Sequence, residues 1–224
     1  MPDRPQAPTP AEAAHLADVL SHRLRGLVSG IVGFTDLLLE QLSSNGQREL
    51  AMRIMESAQR IEHVLADLKH FTRPVTPEPE DIPISVLLGE LVRRLPDEMA
   101  ERLKLDLEAA RGHQIRADRY LARDIVLHLV QNAAEASKAP ASIGLTVTPA
   151  GTRVRIDISN EGSIDPDVLP FLFEPFYTSK ARNLGVGLPL SRRLARLQGG
   201  DVTLVDGGPP GFVIFRLEIP AAAA

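Results

Sequence analysis

Cysteine and tryptophan are both absent from the 224 residues. Without thiols there is no disulfide framework, thiolate zinc site, iron–sulfur ligation or cysteine nucleophile, and a reducing, cytoplasmic compartment fits best. Aromatic side chains make up only 4% of the chain, seven Phe and two Tyr. Leu, Ile and Val must therefore fill the core, and no stacking platform for nucleic-acid bases is expected. Positive charge is scarce too: 25 Lys and Arg against 29 Asp and Glu leave a formal net charge of −4, so no basic field draws phosphate backbones. Long apolar runs are missing as well. The longest uncharged stretch, Ala139 to Thr152, contains Ser, Thr, Pro and Gly and is shorter than the roughly 20 apolar residues a membrane-spanning helix needs. The opening MPDRPQAPTP has no apolar core of the secretory kind, and residues 1–9 read as a frayed leader.

What is present is an ordinary globular composition, 44% hydrophobic and 24% charged. The length amounts to about one and a half domains, taking roughly 100 to 200 residues for each. Pro74, Pro77, Pro79 and Pro83, mixed with Glu78, Glu80 and Asp81, mark residues 74–81 as a linker, because proline inside a helix costs roughly 3 kcal/mol. Upstream, residues 10–73 hold two long helical patterns around a turn at Ser43, Ser44, Asn45 and Gly46, the layout of an αα-hairpin. Downstream, over residues 82–220, β-rich runs such as Arg153 to Ser159 and Phe212 to Ile219 alternate with helical stretches and glycine clusters. Residues 221–224 form a tail.

On the first helix Leu16, Leu20, Leu24, Leu27, Ile31, Phe34 and Leu38 share one direction, a bundle seam at helical spacing. Leu50, Ile54, Ile61, Leu65 and Leu68 repeat the device on the second. Two helices cannot cover faces that broad, and a homodimer closing a four-helix bundle is the natural completion. His22 lies on the opposite, polar side near His15, Ser29, Gly33 and Glu40. An ordinary solvated histidine would sit there too. Imidazole is nonetheless the one nucleophile in this chain that works near neutral pH without a thiol and can carry a phosphoryl group.

The stretch Leu16 to Leu39, LADVLSHRLRGLVSGIVGFTDLLL, resembles the phosphoacceptor box of sensor histidine kinases through Ser21-His22, Leu24-Arg25, Leu27, Ile31, Gly33-Phe34 and the closing leucines. The resemblance implies that His22 is phosphorylated from ATP. Two positions depart from the pattern. The acidic residue that usually follows the histidine and accepts its proton is Arg23, and the Thr or Asn often found four residues on in members that also dephosphorylate their partner is Gly26. A cation cannot act as the base, so reduced rather than absent autophosphorylation is expected.

Four segments in the second half are similar to the motifs of the histidine kinase and gyrase-type ATPases. Asp118 to Ala136, DRYLARDIVLHLVQNAAEA, resembles the asparagine box, which makes Asn132 the implied Mg²⁺ ligand. The alternating strand Val154 to Ser159 runs into Asn160, Glu161, Gly162, Ser163 and Ile164, a variant first glycine box. Asn160 replaces the usual Asp that accepts the adenine amino group, which an amide carbonyl can also do. Phe171 to Lys180, FLFEPFYTSK, resembles the phenylalanine box. There Phe173 and Phe176 would pack under the nucleotide lid, and Thr178 and Lys180 would reach the phosphates. Asn183 to Leu188, NLGVGL, resembles the second glycine box with Gly185, Gly187 and Leu188 retained ahead of a helix. Where ATP-hydrolysing relatives place a glutamate one turn before the asparagine, this chain has His128.

The expected fold class is therefore α+β: a helical hairpin forming a dimeric four-helix bundle, then an α/β sandwich ATP-binding domain. The resemblance, nearest in texture to the nitrogen-regulation type, implies an ATP- and Mg²⁺-dependent protein-histidine kinase that passes its phosphoryl group to an aspartate of a response-regulator receiver domain. Input would arrive through a separate sensor protein or a further domain. A histidine phosphotransferase with a degenerate ATP domain and a non-catalytic, ATP-binding docking protein stand as alternatives.

Overall fold

The computed structural model describes residues 10–42, 44–72, 75–137, 140–175, 177 and 185–223, with side-chain environments also left aside in parts of the two long helices. The chain divides into two compact units. One comprises the described residues up to Val75 together with Gly185 and Val186, and the other the remainder from Thr76 onward.

The first unit is a hairpin of α1 (Pro10–Gln41) and α2 (Asn45–Thr72). No basic residue sits in the last turn of α1. Instead Arg48 reaches back from α2 and donates to the Leu39 and Leu42 carbonyls at 2.9 and 3.1 Å, partners for acceptors that a helix end leaves unpaired. Among the described side chains, the surface joining the helices is built from small or branched residues. Val28 and Ala58 are only 4% and 2% exposed, with Val32 packed against them, and Thr35 and Ala51 are buried as well. The large residues of the expected bundle seam, Leu24, Leu27, Ile31, Phe34 and Leu38 on α1 and Leu50, Ile54 and Ile61 on α2, stay exposed within one chain, as expected of a face that two helices cannot cover. Small residues let the two backbones approach closely and leave the bulkier stripe turned outward.

The second unit is built on a five-stranded sheet in the order β2-β4-β5-β7-β6. Its strands are β2 (Leu103–Asp106), β4 (Ile143–Ala150), β5 (Arg153–Glu161), β6 (Asp201–Leu204) and β7 (Phe212–Pro220). The β2–β4 pair is parallel and the rest antiparallel. A separate ribbon pairs β1 (Glu80–Pro83) with β3 (Gln114–Ala117). This ribbon begins two residues inside the proline-rich stretch read as linker, held by the Asp81–Arg116 ion pair at 3.1 Å. Pro83 is tolerated because it ends a two-stranded edge.

Helices α3 (Ile84–Val92), α5 (Arg119–Ala136) and α6 (Gly187–Leu197) each turn one apolar face into the core, while the short α4 (Asp97–Arg102) buries no residue. The alternation along β5 shows how the layers meet. Val154, Ile156, Ile158 and Asn160 are buried in turn on the side against which α5 packs, as period-two geometry requires. On the other side Arg155 faces Glu218 and Asp157 faces Arg216 across the β5–β7 ladder. Both pairs are closed by 2.7 Å hydrogen bonds, the cross-strand charge pairing that stabilises an open sheet face. The sequence placed Asn160 just after its strand; the strand instead runs on through Glu161 because β7 continues alongside it to Phe212.

Candidate functional site

His22 lies on α1; its side chain, and that of Arg23, fall outside what the structure describes. One turn further, Gly26 is exposed, and a Cβ added there would meet nothing within 4 Å. Space therefore does not dictate glycine at that position.

In the second unit α5 carries Asn132 in its C-terminal half, half-buried on the flank of a face made by Ala122, Ile125, Val126, Leu129, Val130 and Ala133. Both ends of this helix are tied down. Asp118 caps the N-terminus by accepting from the amides of Tyr120 and Leu121 at 3.0 and 3.1 Å, the role that carboxylates favour at that position. Its second oxygen accepts from the Glu78 amide at 3.0 Å, and its own amide donates to Gln198 Oε1 at 2.8 Å. At the other end Arg102 donates to Ala141 O, Ser137 O and Ser137 Oγ, at 2.8, 3.2 and 2.7 Å.

Asn160 is 1% exposed and belongs to the α5-covered side of β5. Its Nδ2 donates to the Glu161 carbonyl at 2.9 Å, and Oδ1 is the acceptor of the amide. Gly162 follows at φ 149°, where a side chain would strain the backbone. Its amide donates to Gly211 O at 2.9 Å, tying the end of β5 to the turn before β7. Ile164 is half-buried.

Phe173 is half-buried and meets Phe215 of β7 edge-on, with ring centroids 6.4 Å apart and planes at 86°. Phe171 and Tyr177, both substantially exposed, stack at 4.8 Å. Phe176, Thr178 and Lys180 lie outside the described residues. Gly185 has φ 67°, a second position that demands glycine. Gly187 opens α6, followed by half-buried Leu188, and the first amides of a helix lack intrahelical partners and favour anions.

Sequence reasoning gave no role to Arg192 of α6 or to Asp201 of β6. The Arg192 guanidinium lies over the Phe173 ring, 4.6 Å from its centroid, and donates to Asp201 from Nε at 3.0 Å and Nη2 at 3.4 Å. Arg196 donates to the same carboxylate at 3.1 and 3.3 Å. Burial alone would raise the Asp201 carboxyl, but the hydrogen bonds from Arg192 and Arg196 more than reverse it and hold it below its ordinary value. No sequence signal pairs a helix arginine with the first residue of the next strand or with a ring in an earlier turn.

Among the described residues no group of three His, Cys, Asp or Glu gathers as a metal site, and no helix is long and apolar enough to cross a membrane.

Residues 117–223 match the histidine kinase-, DNA gyrase B- and HSP90-like ATPase family, and residues 13–76 match the His kinase A phospho-acceptor domain. The two matches define the class: a phosphoacceptor hairpin joined to an ATPase-type domain. The signal-transduction histidine-protein kinase AtoS of Escherichia coli is 26% identical over 221 residues, covering 96% of this chain and 36% of that protein. The sensory histidine kinase/phosphatase NtrB of Rhizobium meliloti is 29% identical over 228 residues, covering 92% and 58%. The crystal structure of full-length ShkA in complex with AMPPNP superposes with a TM-score of 0.74 at 26% identity, covering 94% of this chain and 46% of that one. The chain belongs to the sensor histidine kinases of two-component systems. It spans roughly a third to three fifths of the length of these relatives.

Proposed function

We propose that this chain is the catalytic core of a protein-histidine kinase that binds ATP in its second unit and phosphorylates His22. The observation that carries the nucleotide half is buried Asn160, whose Nδ2 donates to the Glu161 carbonyl and leaves Oδ1 as the side chain's acceptor. An amide oxygen can accept from the adenine amino group at the position where the family usually has a carboxylate.

The phosphates would meet Lys180, Thr178 and the opening amides of α6 at Gly187 and Leu188. Asn132 fits a Mg²⁺ ion as a neutral oxygen donor to a metal otherwise completed by phosphate and water. Bound there, the ion would neutralise charge on the β- and γ-phosphates. The imidazole nitrogen of His22 attacks the γ-phosphorus, an N–P bond forms, the bond to the bridging oxygen breaks, and ADP leaves. With Arg23 beside it the imidazole proton passes to water, so the step is slow. The phosphoryl group then moves to an aspartate carboxylate of a receiver domain, which regenerates the histidine.

Homodimerisation follows from the apolar stripe left exposed on α1 and α2, which a second hairpin would cover. The test is γ-labelled ATP with wild type and His22→Ala. Acid-labile label on the wild type alone is expected, whereas no label on the wild type, or undiminished label on the variant, refutes the proposal. Saturable binding of ATP without any phosphohistidine would instead leave a docking protein.

A further inference from the structure

The Phe173 ring is held from two sides. Phe215, 3% exposed in the core of the sheet, meets it edge-on, and the Arg192 guanidinium covers one face. Arg192 itself is fixed by Asp201, whose carboxylate also accepts from Arg196 and from the Val202 amide at 2.8 Å. One side chain of α6 thus joins the phenylalanine-box turn to the helix whose first amides belong to Gly187 and Leu188.

We propose that Arg192 is a positioning residue for nucleotide binding: clamped by Asp201, it fixes the Phe173 ring relative to the opening of α6. The proposal rests on the nucleotide reading of this site. Cation–π attraction is directional, and the planar guanidinium stacks where an ammonium does not. With Arg192 in place the aromatic and amide parts of the site are ordered before nucleotide arrives. Without it, binding carries the cost of ordering Phe173. The penalty falls on affinity, because the contacts Arg192 makes among the described residues are to Phe173 and Asp201, neither of which reacts.

The experiment titrates the full chain with methylanthraniloyl-ATP and Mg²⁺ and measures His22 phosphorylation in parallel. Arg192→Ala should weaken binding about fivefold, the equivalent of about 1 kcal/mol, and raise KM for ATP by the same factor with kcat unchanged. Arg192→Lys, which keeps a cation beside Asp201, should retain the wild-type melting temperature yet still bind weakly. It also keeps the test open if the alanine variant fails to fold. Arg196→Ala removes the other partner of Asp201 without touching Phe173 and should bind like wild type. In a Phe173→Leu background Arg192→Ala should add nothing. The proposal is overturned if Arg192→Lys binds like wild type, or if Arg196→Ala weakens binding as much as Arg192→Ala. Wild-type protein that binds no nucleotide removes both readings, whereas binding without phosphohistidine removes only the kinase reading.

Discussion

Arg102 closes the C-terminal end of α5, the helix that presents Asn132, and replacing it tests whether that end is held from outside. As the last residue of α4 it donates to Ala141 O at 2.8 Å, Ser137 Oγ at 2.7 Å and Ser137 O at 3.2 Å, with a longer contact of 3.4 Å to Ala134 O. The Ala134 and Ser137 carbonyls lie where a helix lacks internal partners. Only the two shortest bonds deserve full weight, each worth about 1.5 kcal/mol from a charged donor. Some of that returns when water reaches the carbonyl of half-buried Ala141. Arg102→Ala should therefore destabilise the second unit by about 2 kcal/mol, which for a unit of this size corresponds to a fall in melting temperature of about 4–8 °C. Arg102→Lys should lose most of the same amount, because one ammonium cannot span the fork. Circular dichroism melts read the global loss, and hydrogen exchange should show faster amides over Ala133–Ser137. A fall below about 1 °C with unchanged exchange there would show that α5 terminates without Arg102, and the reasoning would fail.

Replacing both Leu27 and Phe34, 67% and 71% exposed in one chain, by Glu should convert a dimer to a monomer in light scattering, since each covered side chain contributes about 1.5–3 kcal/mol. A wild type that is already monomeric, or a variant that stays dimeric, contradicts the assignment of that stripe. Arg23→Glu should restore an acceptor for the imidazole proton and speed autophosphorylation about 10²-fold or more; an unchanged rate would mean that proton removal does not limit the step. Because Asp201 is held below its ordinary pKa, its stabilising contribution is complete above the usual carboxylate range. It disappears as pH falls through the lowered value. Acid melting profiles of Asp201→Asn should accordingly lose part of their pH dependence below about pH 4, and a profile parallel to wild type would exclude that contribution.

The hairpin was legible because its information is local: unbroken 3.6-residue periodicity and proline stops on either side. The same periodicity marked the broad apolar face that one hairpin leaves exposed, but not the contact between the two helices, which among the described residues uses Val28, Thr35, Ala51 and Ala58, where small side chains allow approach. The strand bearing Asn160 was legible in its alternation but not in its length, which depends on β7, some 50 residues away in sequence. Asn132, Gly162, Gly185 and Gly187 could be nominated because particular residue types at particular spacings carry their chemistry. Arg192 could not, since one more arginine in a helix reading SRRLAR looks like a solvated face.

By itself, then, the sequence determined the class of the molecule: which stretch is hairpin, which carries the nucleotide motifs, and that histidine is the covalent candidate in a chain without thiols. The hairpin and the histidine follow from composition and near-neighbour spacing, and the class and the nucleotide motifs from resemblance to a family, all of which survive in an unfolded string. Tertiary structure alone decided that Asn160 is buried on the α5-covered side of β5, that Asp118 and Arg102 hold the two ends of α5, and that Arg192 spans Phe173 and Asp201. Each depends on angles and distances between separate elements, which only folding brings into contact.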